Sequence, residues 1–436
     1  MSAVPDTIFA LSTAQGRAGV AVIRVSGPKS WESFARIDSA NIPLIARQTS
    51  LRKLIVPATG VAIDRAMVVG FRGPHSFTGE DCIEYHVHGG HAVTAALLAT
   101  LSGEEGHRMA LPGEFTRRAF ENGKMDLTAA EAIADLIHAE TESQRLQALA
   151  QMDGNLFELY EGWKDRVAHI LAFMEADLDF SDQDLPEDIL LKVRPDLADI
   201  RHAIRAHLAD GRRGEILRAG FRVVILGAPN AGKSSLLNAL AQRDAAIVSP
   251  VAGTTRDMID VHLNLGGYAV LLTDTAGLRQ DALGVSPHDM IEAEGIRRAL
   301  ARAAEADLKI LLLDGTLEQD KHSLDLVDDK TLVVVNKLYA ANFRGTPAGV
   351  IAISAKAQNG QNGMDILLHK ILEIVTAKIG TNHGPTLTRA RHREALTLAR
   401  ERYKAGLGTI LDVTTATTDL LSAEVGLAES QYDYRA

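Results

Sequence analysis

The rhythm of apolar and polar positions changes three times along the chain. Up to residue 122, short apolar runs dominate, such as Val20-Ala21-Val22-Ile23-Arg24-Val25 and Ala66-Met67-Val68-Val69-Gly70-Phe71. From Cys82 to His88 the pattern alternates. This places Ile83, Tyr85 and Val87 on one face of a strand that Gly89-Gly90 ends. The rhythm predicts a small α+β domain over 1–122.

From Asp126 the period lengthens. Tyr160, Trp163, Val167, Ile170, Leu171, Met174 and Leu178 recur three and four residues apart, the apolar stripe of a helix facing a core. The acidic stretch 177–188, with Pro186 inside it, reads as a solvated connection. Beyond Phe221, strands and helices alternate. Strands are expected at 221–226, 269–273, 309–313 and 331–335, and the alternation implies a mostly parallel α/β sheet. Helical texture returns at Arg389. The simplest organisation is multidomain, α+β and α/β: an N-terminal domain at 1–122, a helical domain divided between 123–216 and 379–436, and an α/β domain inserted at 217–378. The chain shows no internal repeat.

Composition narrows the function. With 46% apolar and 23% charged residues, the chain has an ordinary globular balance. A net charge of −10 excludes a global basic footprint, so RNA contact must rest on local patches or on a partner. Cys82 is the single cysteine, which rules out an intrachain disulfide and suits a reducing compartment. The first residues carry no basic leader, and no window approaches the roughly 18 apolar residues of a membrane span. A cytoplasmic location is expected.

The strongest chemistry follows the strand at 221–226. Gly227-Ala228-Pro229-Asn230-Ala231-Gly232-Lys233-Ser234 is a GxxxxGKS phosphate loop between a strand and a helix. Its glycines let backbone N–H groups such as those of Asn230, Ala231 and Gly232 curl around phosphate, and the helix start favours negative charge. Lys233 supplies a cation, and the Ser234 hydroxyl suits Mg²⁺. Gly253-Thr254-Thr255-Arg256-Asp257 follows as a switch-like loop. Asp274-Thr275-Ala276-Gly277 ends a strand, where Asp274 can hold Mg²⁺ through water and the Gly277 N–H can sense a γ-phosphate. Asn336-Lys337 and Ser354-Ala355-Lys356 each follow a later strand. The order of these elements is that of a GTP-hydrolysing protein with a Ras-like G domain.

Two positions depart from that pattern. A guanine-reading loop ends in Asp, whose carboxylate accepts from guanine N1–H and N2–H₂; here the position is Tyr339, and no Asp or Glu occurs from Thr331 through Met364. A phenol cannot accept two bonds side by side. Leu278 stands where Ras-type enzymes place a water-orienting glutamine, so a downstream carboxylate must serve: Asp281, Asp289, Glu292 or Glu294.

These motifs, with Asp6-Thr7-Ile8 through Ser26-Gly27, Ser76-Phe77-Thr78-Gly79-Glu80-Asp81, Pro112 through Phe120 and Asn122-Gly123-Lys124-Met125-Asp126-Leu127, closely resemble the MnmE (TrmE) family of tRNA-modification GTPases. The resemblance covers nearly the whole chain. It implies a folate-binding N-terminal domain, a helical domain and an inserted G domain, with homodimerisation through the N-terminal domains. It implies K⁺-activated GTP hydrolysis and, in a heterotetramer with the FAD-dependent partner MnmG, addition of aminomethyl or carboxymethylaminomethyl groups at C5 of the tRNA wobble uridine. The one-carbon donor would be 5-formyl-tetrahydrofolate, held by Arg24, Glu84 and Lys124. Asn230, Ser249, Val251 and Thr254 match the K⁺ ligands, and Ser234 and Thr255 the Mg²⁺ ligands. Ser235, Pro250 and Ala252 join the GTP-binding loops, and Glu292 matches the general base. Family members end in a Cys-Ile-Gly-Lys tail, which 429–436 does not reproduce. That difference and Tyr339 leave a second reading, a nucleotide-dependent switch or assembly protein impaired in modification. A third reading draws on His86, His88 and His91 as a zinc site. Arg389, Arg391, His392 and Arg393 could meet tRNA phosphate, although a solvated helix start is the plainer expectation.

Overall fold

Arg24 and Glu84 face each other across two antiparallel strands near the middle of the N-terminal sheet. The computed structural model describes residues 6–40, 42–179, 189–210, 212–228, 230–243, 246–247, 260–274, 304–318, 327–346, 349–356, 362–380 and 384–404. The described residues divide into two units, 6–131 and 132–404.

The first unit contains β1 (Thr7–Leu11), β2 (Ala18–Ser26), α1 (Ser30–Ile37), β3 (Ser50–Ile55), β4 (Ala62–Phe71), β5 (Cys82–Gly89), α2 (His91–Ser102), β6 (His107–Met109) and α3 (Glu114–Glu121). The sheet order is β3-β4-β5-β2-β1-β6, with only the β1–β6 pair parallel. The predicted alternation is seen in β5, where Ile83, Tyr85 and Val87 are fully buried. They pack with Ile23 and Val25 of β2 and with Phe34, Leu97 and Leu101 of the helices. Each such side chain contributes about 1.5–3 kcal/mol on burial. The opposite face of β2 and β5 carries Arg24, Glu84 and His86, so strand periodicity gathers polar groups there.

The second unit begins with helices. α4 (Leu127–His138), which crosses the division between the units, is followed by α5 (Glu142–Met152), α6 (Asn155–Asp179), α7 (Ile189–Leu208) and α8 (Arg213–Ala219). Thr141 and Gln144 form a capping box that starts α5. The predicted stripe buries Trp163, Val167 and Ile170, the last two against Ile200 of α7.

The α/β part then runs β7 (Phe221–Leu226), α9 (Lys233–Ala241), β8 (Asp260–Leu265), β9 (Tyr268–Asp274), β10 (Leu308–Asp314), β11 (Thr331–Asn336), β12 (Ile351–Ala352) and α10 (Met364–Ile379). The sheet order is β12-β11-β10-β7-β9-β8, parallel except for β8 at its edge. Both faces are covered. Phe221, Val223 and Ile225 point to one core and Val224 and Leu226 to the other, which is why β7 reads as an almost unbroken apolar run. The C-terminal ends of the parallel strands β7, β9, β11 and β12 lie at one end of the sheet. The order reverses around β7, the place where such sheets bind ligands.

After α10, the helix α11 (Ala390–Lys404) returns to the helical part. The entering and leaving segments touch. A Cβ on Gly214 would lie 2.5 Å from the Leu387 carbonyl oxygen, and Gln147 Nε2 donates to Gly214 O at 3.1 Å. Among the described residues no helix is long and apolar enough to cross a membrane.

Candidate functional site

The phosphate loop is shaped by close backbone approaches. At Gly227, with φ +145°, a Cβ would lie 2.2 Å from the Leu312 carbonyl oxygen. Asn230 takes the left-handed conformation at φ +64°. Lys233, the first residue of α9, turns its ammonium back into the curl, with Nζ donating to Gly227 O at 2.8 Å and Ala228 O at 3.0 Å. A cation, a curl of main chain and a helix N-terminus therefore converge, the arrangement that holds phosphate. Asp274 ends β9, where its backbone lies beside Ile225, two residues before Gly227.

Asn336 joins this loop to the two behind it. Its side chain is buried, and Nδ2 donates to Ala231 O at 2.8 Å. Its Oδ1 accepts from the N–H groups of Lys337 at 2.8 Å and Ala355 at 3.0 Å. One amide thus ties the phosphate loop to the loops after β11 and β12. Ser354 is buried in the last of these, its N–H donating to Asn362 O at 2.9 Å. Tyr339 is 59% exposed. Ser249, Pro250, Val251, Ala252, Gly253, Thr254, Thr255, Thr275, Ala276, Gly277 and Glu292 lie outside the described residues, as do Asp281, Asp289, Glu294 and the C-terminal segment 405–436.

In the first unit, Arg24 and Glu84 form an ion pair at 2.9 Å and are both largely shielded. The Arg24 guanidinium lies 4.7 Å from the centre of the Phe77 ring and 5.5 Å from that of Phe115. The Arg24 guanidinium thus lies over two aromatic rings while it pairs with the Glu84 carboxylate. Lys124 lies against Gly79, whose Cβ would be 3.2 Å from Lys124 Cγ. Phe77 and Phe115 were not singled out by sequence, although both stand inside the motifs that carried the resemblance. The loop holding Phe77 is braced: Ser26 Oγ donates to Glu80 at 2.7 Å, and Arg118 reaches both Glu80 and Glu114 at 3.1 Å. Burial pushes the Glu114 carboxyl up, but bonds from Arg108, the Leu111 N–H and Arg118 outweigh it and bring it to about 2.

Two expectations change. Arg389 and Arg393 do not form a solvated helix start. Arg389 pairs with Asp135 at 3.0 Å, and Arg393 with Glu215 at 2.7 Å and Asp210 at 2.9 Å. His392 between them is fully buried. The basic run neutralises interior carboxylates of the helical part, so its charge is already matched. His88 bonds Asp64 at 2.9 Å, and among the described residues no group of three or more His, Cys, Asp or Glu converges on a metal position.

A phosphate loop at the turning point of a parallel sheet, tied by one asparagine to an Asn-Lys loop and a Ser-Ala loop, defines a P-loop nucleotide-binding protein with a Ras-like G domain. The families described as "GTP-binding protein TrmE N-terminus" and "MnmE helical domain" match residues 7–124 and 127–431. The tRNA modification GTPase MnmE of Paramagnetospirillum magneticum is 48% identical over 414 residues, covering 92% of this chain and 91% of that protein. The human mitochondrial 5-taurinomethyluridine-[tRNA] synthase subunit GTPB3 is 44% identical over 411 residues, covering 89% of this chain and 82% of that protein. A solved structure of the T. maritima FeoB G domain is similar at 26% identity and a TM-score of 0.25, covering 35% of this chain and 98% of that one. The chain belongs to the MnmE family.

Proposed function

We propose that this chain, a GTP-hydrolysing member of the MnmE family, works with an FAD-dependent MnmG partner to modify C5 of the wobble uridine of tRNA. The observation that carries the reading is the Asn336 amide, which holds the phosphate loop and the two base-side loops as one assembly. Lys233 and the N–H groups opening α9 hold the phosphates, and the methylenes of Lys337 and the Ala355 backbone face the base. Ser234 and Thr255 would hold Mg²⁺; Asn230, Ser249, Val251 and Thr254 would hold K⁺. Both ions neutralise phosphate charge when bound. Glu292 orients the attacking water. In the N-terminal domain, 1–122, Arg24, Glu84 and Lys124 bind a folate that brings the one-carbon unit, and these domains pair two copies. The helical domain comprises 123–216 and 379–436 and the G domain 217–378. The site of action is the cytoplasm.

The test is GTP hydrolysis in K⁺ against Na⁺ at matched ionic strength and over a range of protein concentrations. Faster, concentration-dependent turnover in K⁺ supports paired G domains, whereas equal rates count against the ion site. A second reading, a nucleotide-dependent assembly protein impaired in modification, is favoured by the exposed Tyr339 and by the lack of any carboxylate from Thr331 through Met364. Nucleotide-dependent tRNA modification by the reconstituted complex separates the two.

A further inference from the structure

The base-side loop has no carboxylate of its own, but one reaches it from the neighbouring strand. Asp314 ends β10 beside Asn336, its parallel partner in β11. Its side chain is 9% exposed, and Oδ2 accepts from Lys337 Nζ in a close ion pair. Oδ1 accepts from Thr316 N at 3.0 Å and Thr316 Oγ1 at 2.6 Å, so the carboxylate is held from the far side too. The next residue adds main-chain ties: Gly315 N donates to Asn336 O at 3.1 Å, and Arg344 N donates to Gly315 O at 2.9 Å. The Phe343 ring closes over Gly315, where a Cβ would lie 2.4 Å from it.

These contacts act on a residue that needs holding. Lys337 sits at φ +67°, a left-handed conformation that is strained for a residue with a Cβ. Its N–H is fixed by Asn336 Oδ1, and Leu338 N and Ala340 N close the turn on Ile353 O at 3.0 Å and Lys337 O at 2.9 Å. The backbone is fixed at one end and the ammonium at the other, which holds the Lys337 side chain near the Asn336 hub. An unanchored lysine would sample many rotamers and lose that order on binding a base.

We propose that Asp314 is a positioning residue for nucleobase binding. It anchors Lys337, so that in this chain the base is held by an ordered apolar wall in place of a carboxylate on its own loop. The inference rests on the nucleotide-binding reading and deepens it. It separates base affinity, which depends on the pair, from phosphate affinity, which depends on Lys233 and the α9 N-terminus.

The experiment titrates the full chain with GDP and, separately, with inorganic tripolyphosphate, which has no base. Asp314→Asn should weaken GDP about tenfold and leave tripolyphosphate within about twofold. Asp314→Glu should recover most of the loss. Lys337→Met, at a partly exposed position where folding is little affected, should give the same selective loss. In the double variant the two losses should not add, because both remove one contact. Equal loss of both probes in Asp314→Asn with a folded chain would make Asp314 merely structural, and unchanged GDP affinity in both single variants would overturn the proposal. Failure of the unmodified chain to bind either probe would remove the nucleotide reading and the proposal together.

Discussion

The Asn336 side-chain amide occupies the space that a methyl group on Gly232 would need: a Cβ there would lie 2.2 Å from Asn336 Nδ2. Gly232 also sits at φ +101°, where a residue with a Cβ is strained. Asn336 cannot step aside without releasing Ala231, Lys337 and Ala355. Gly232→Ala should therefore cost about 1–3 kcal/mol at the loop, seen as GTP affinity about fivefold to a hundredfold weaker. Calorimetric titration with unchanged affinity would show that the two loops move independently.

Tyr339→Asp should tighten GTP binding and sharpen discrimination against inosine triphosphate, which lacks the N2 amino group. A restored acceptor pair is worth about 1–3 kcal/mol where a donor was otherwise unpaired. Tyr339 is 59% exposed, so thermal stability should change little. Competition among GTP, inosine triphosphate and ATP checks this. If the unmodified chain discriminates as sharply as the variant, another group reads the base.

Acid should weaken the first unit through Glu114. Its carboxyl lies at about 2 in the folded chain against an ordinary 4.5, so its bonds stabilise the fold fully above the ordinary value. That contribution fades as pH falls from about 4.5 towards 2. Glu114→Gln should flatten the acid limb of the melting temperature. Trp31 and Trp163 are the only tryptophans, so a Trp163→Phe background leaves Trp31 to report on this unit. An identical acid limb in the variant would shift the effect to other carboxylates.

Cys82 should resist thiol reagents in the native protein. It is 1% exposed, and burial pushes its thiol up to about 12, the nearby Arg24 offsetting this only in part. Since the thiolate is the reactive form, labelling at neutral pH should track opening of the β2–β5 region. A fast labelling phase in the folded chain, unaffected by stabilising conditions, would contradict the burial.

The phosphate site was legible because local sequence dictates it. The run 221–226 is β7 residue for residue, and the glycines fall where the backbone meets Leu312 and Asn336. The strands expected at 269–273, 309–313 and 331–335 appear with their ends extended by one residue or two, since pairing with neighbours sets the limits. What the sequence hid is long-range. Asp314 is an ordinary aspartate at a strand end until the fold sets it beside Lys337. Arg389 and Arg393 look like a solvated basic run because their carboxylates lie some 180 to 250 positions earlier in the chain. The edge strand β8 was not expected, although Val261, Leu263 and Leu265 alternate with His262 and Asn264 as on a half-buried strand.

The contact between Gly214 and Leu387 makes the whole G domain a closed excursion from the helical part, leaving and re-entering at one point. In polymer terms the helical part feels a loop whose ends are pinned. The entropy of closing such a loop grows with the logarithm of its length, about 2 kcal/mol for each tenfold. An excursion of this size therefore costs the host about 2 kcal/mol more than one a tenth as long. The pinned ends are not the only tie, since Glu140 bonds His262 and the Ser143 N–H donates to Gly267 O, so the helical part and the nucleotide machine must also change together along that seam.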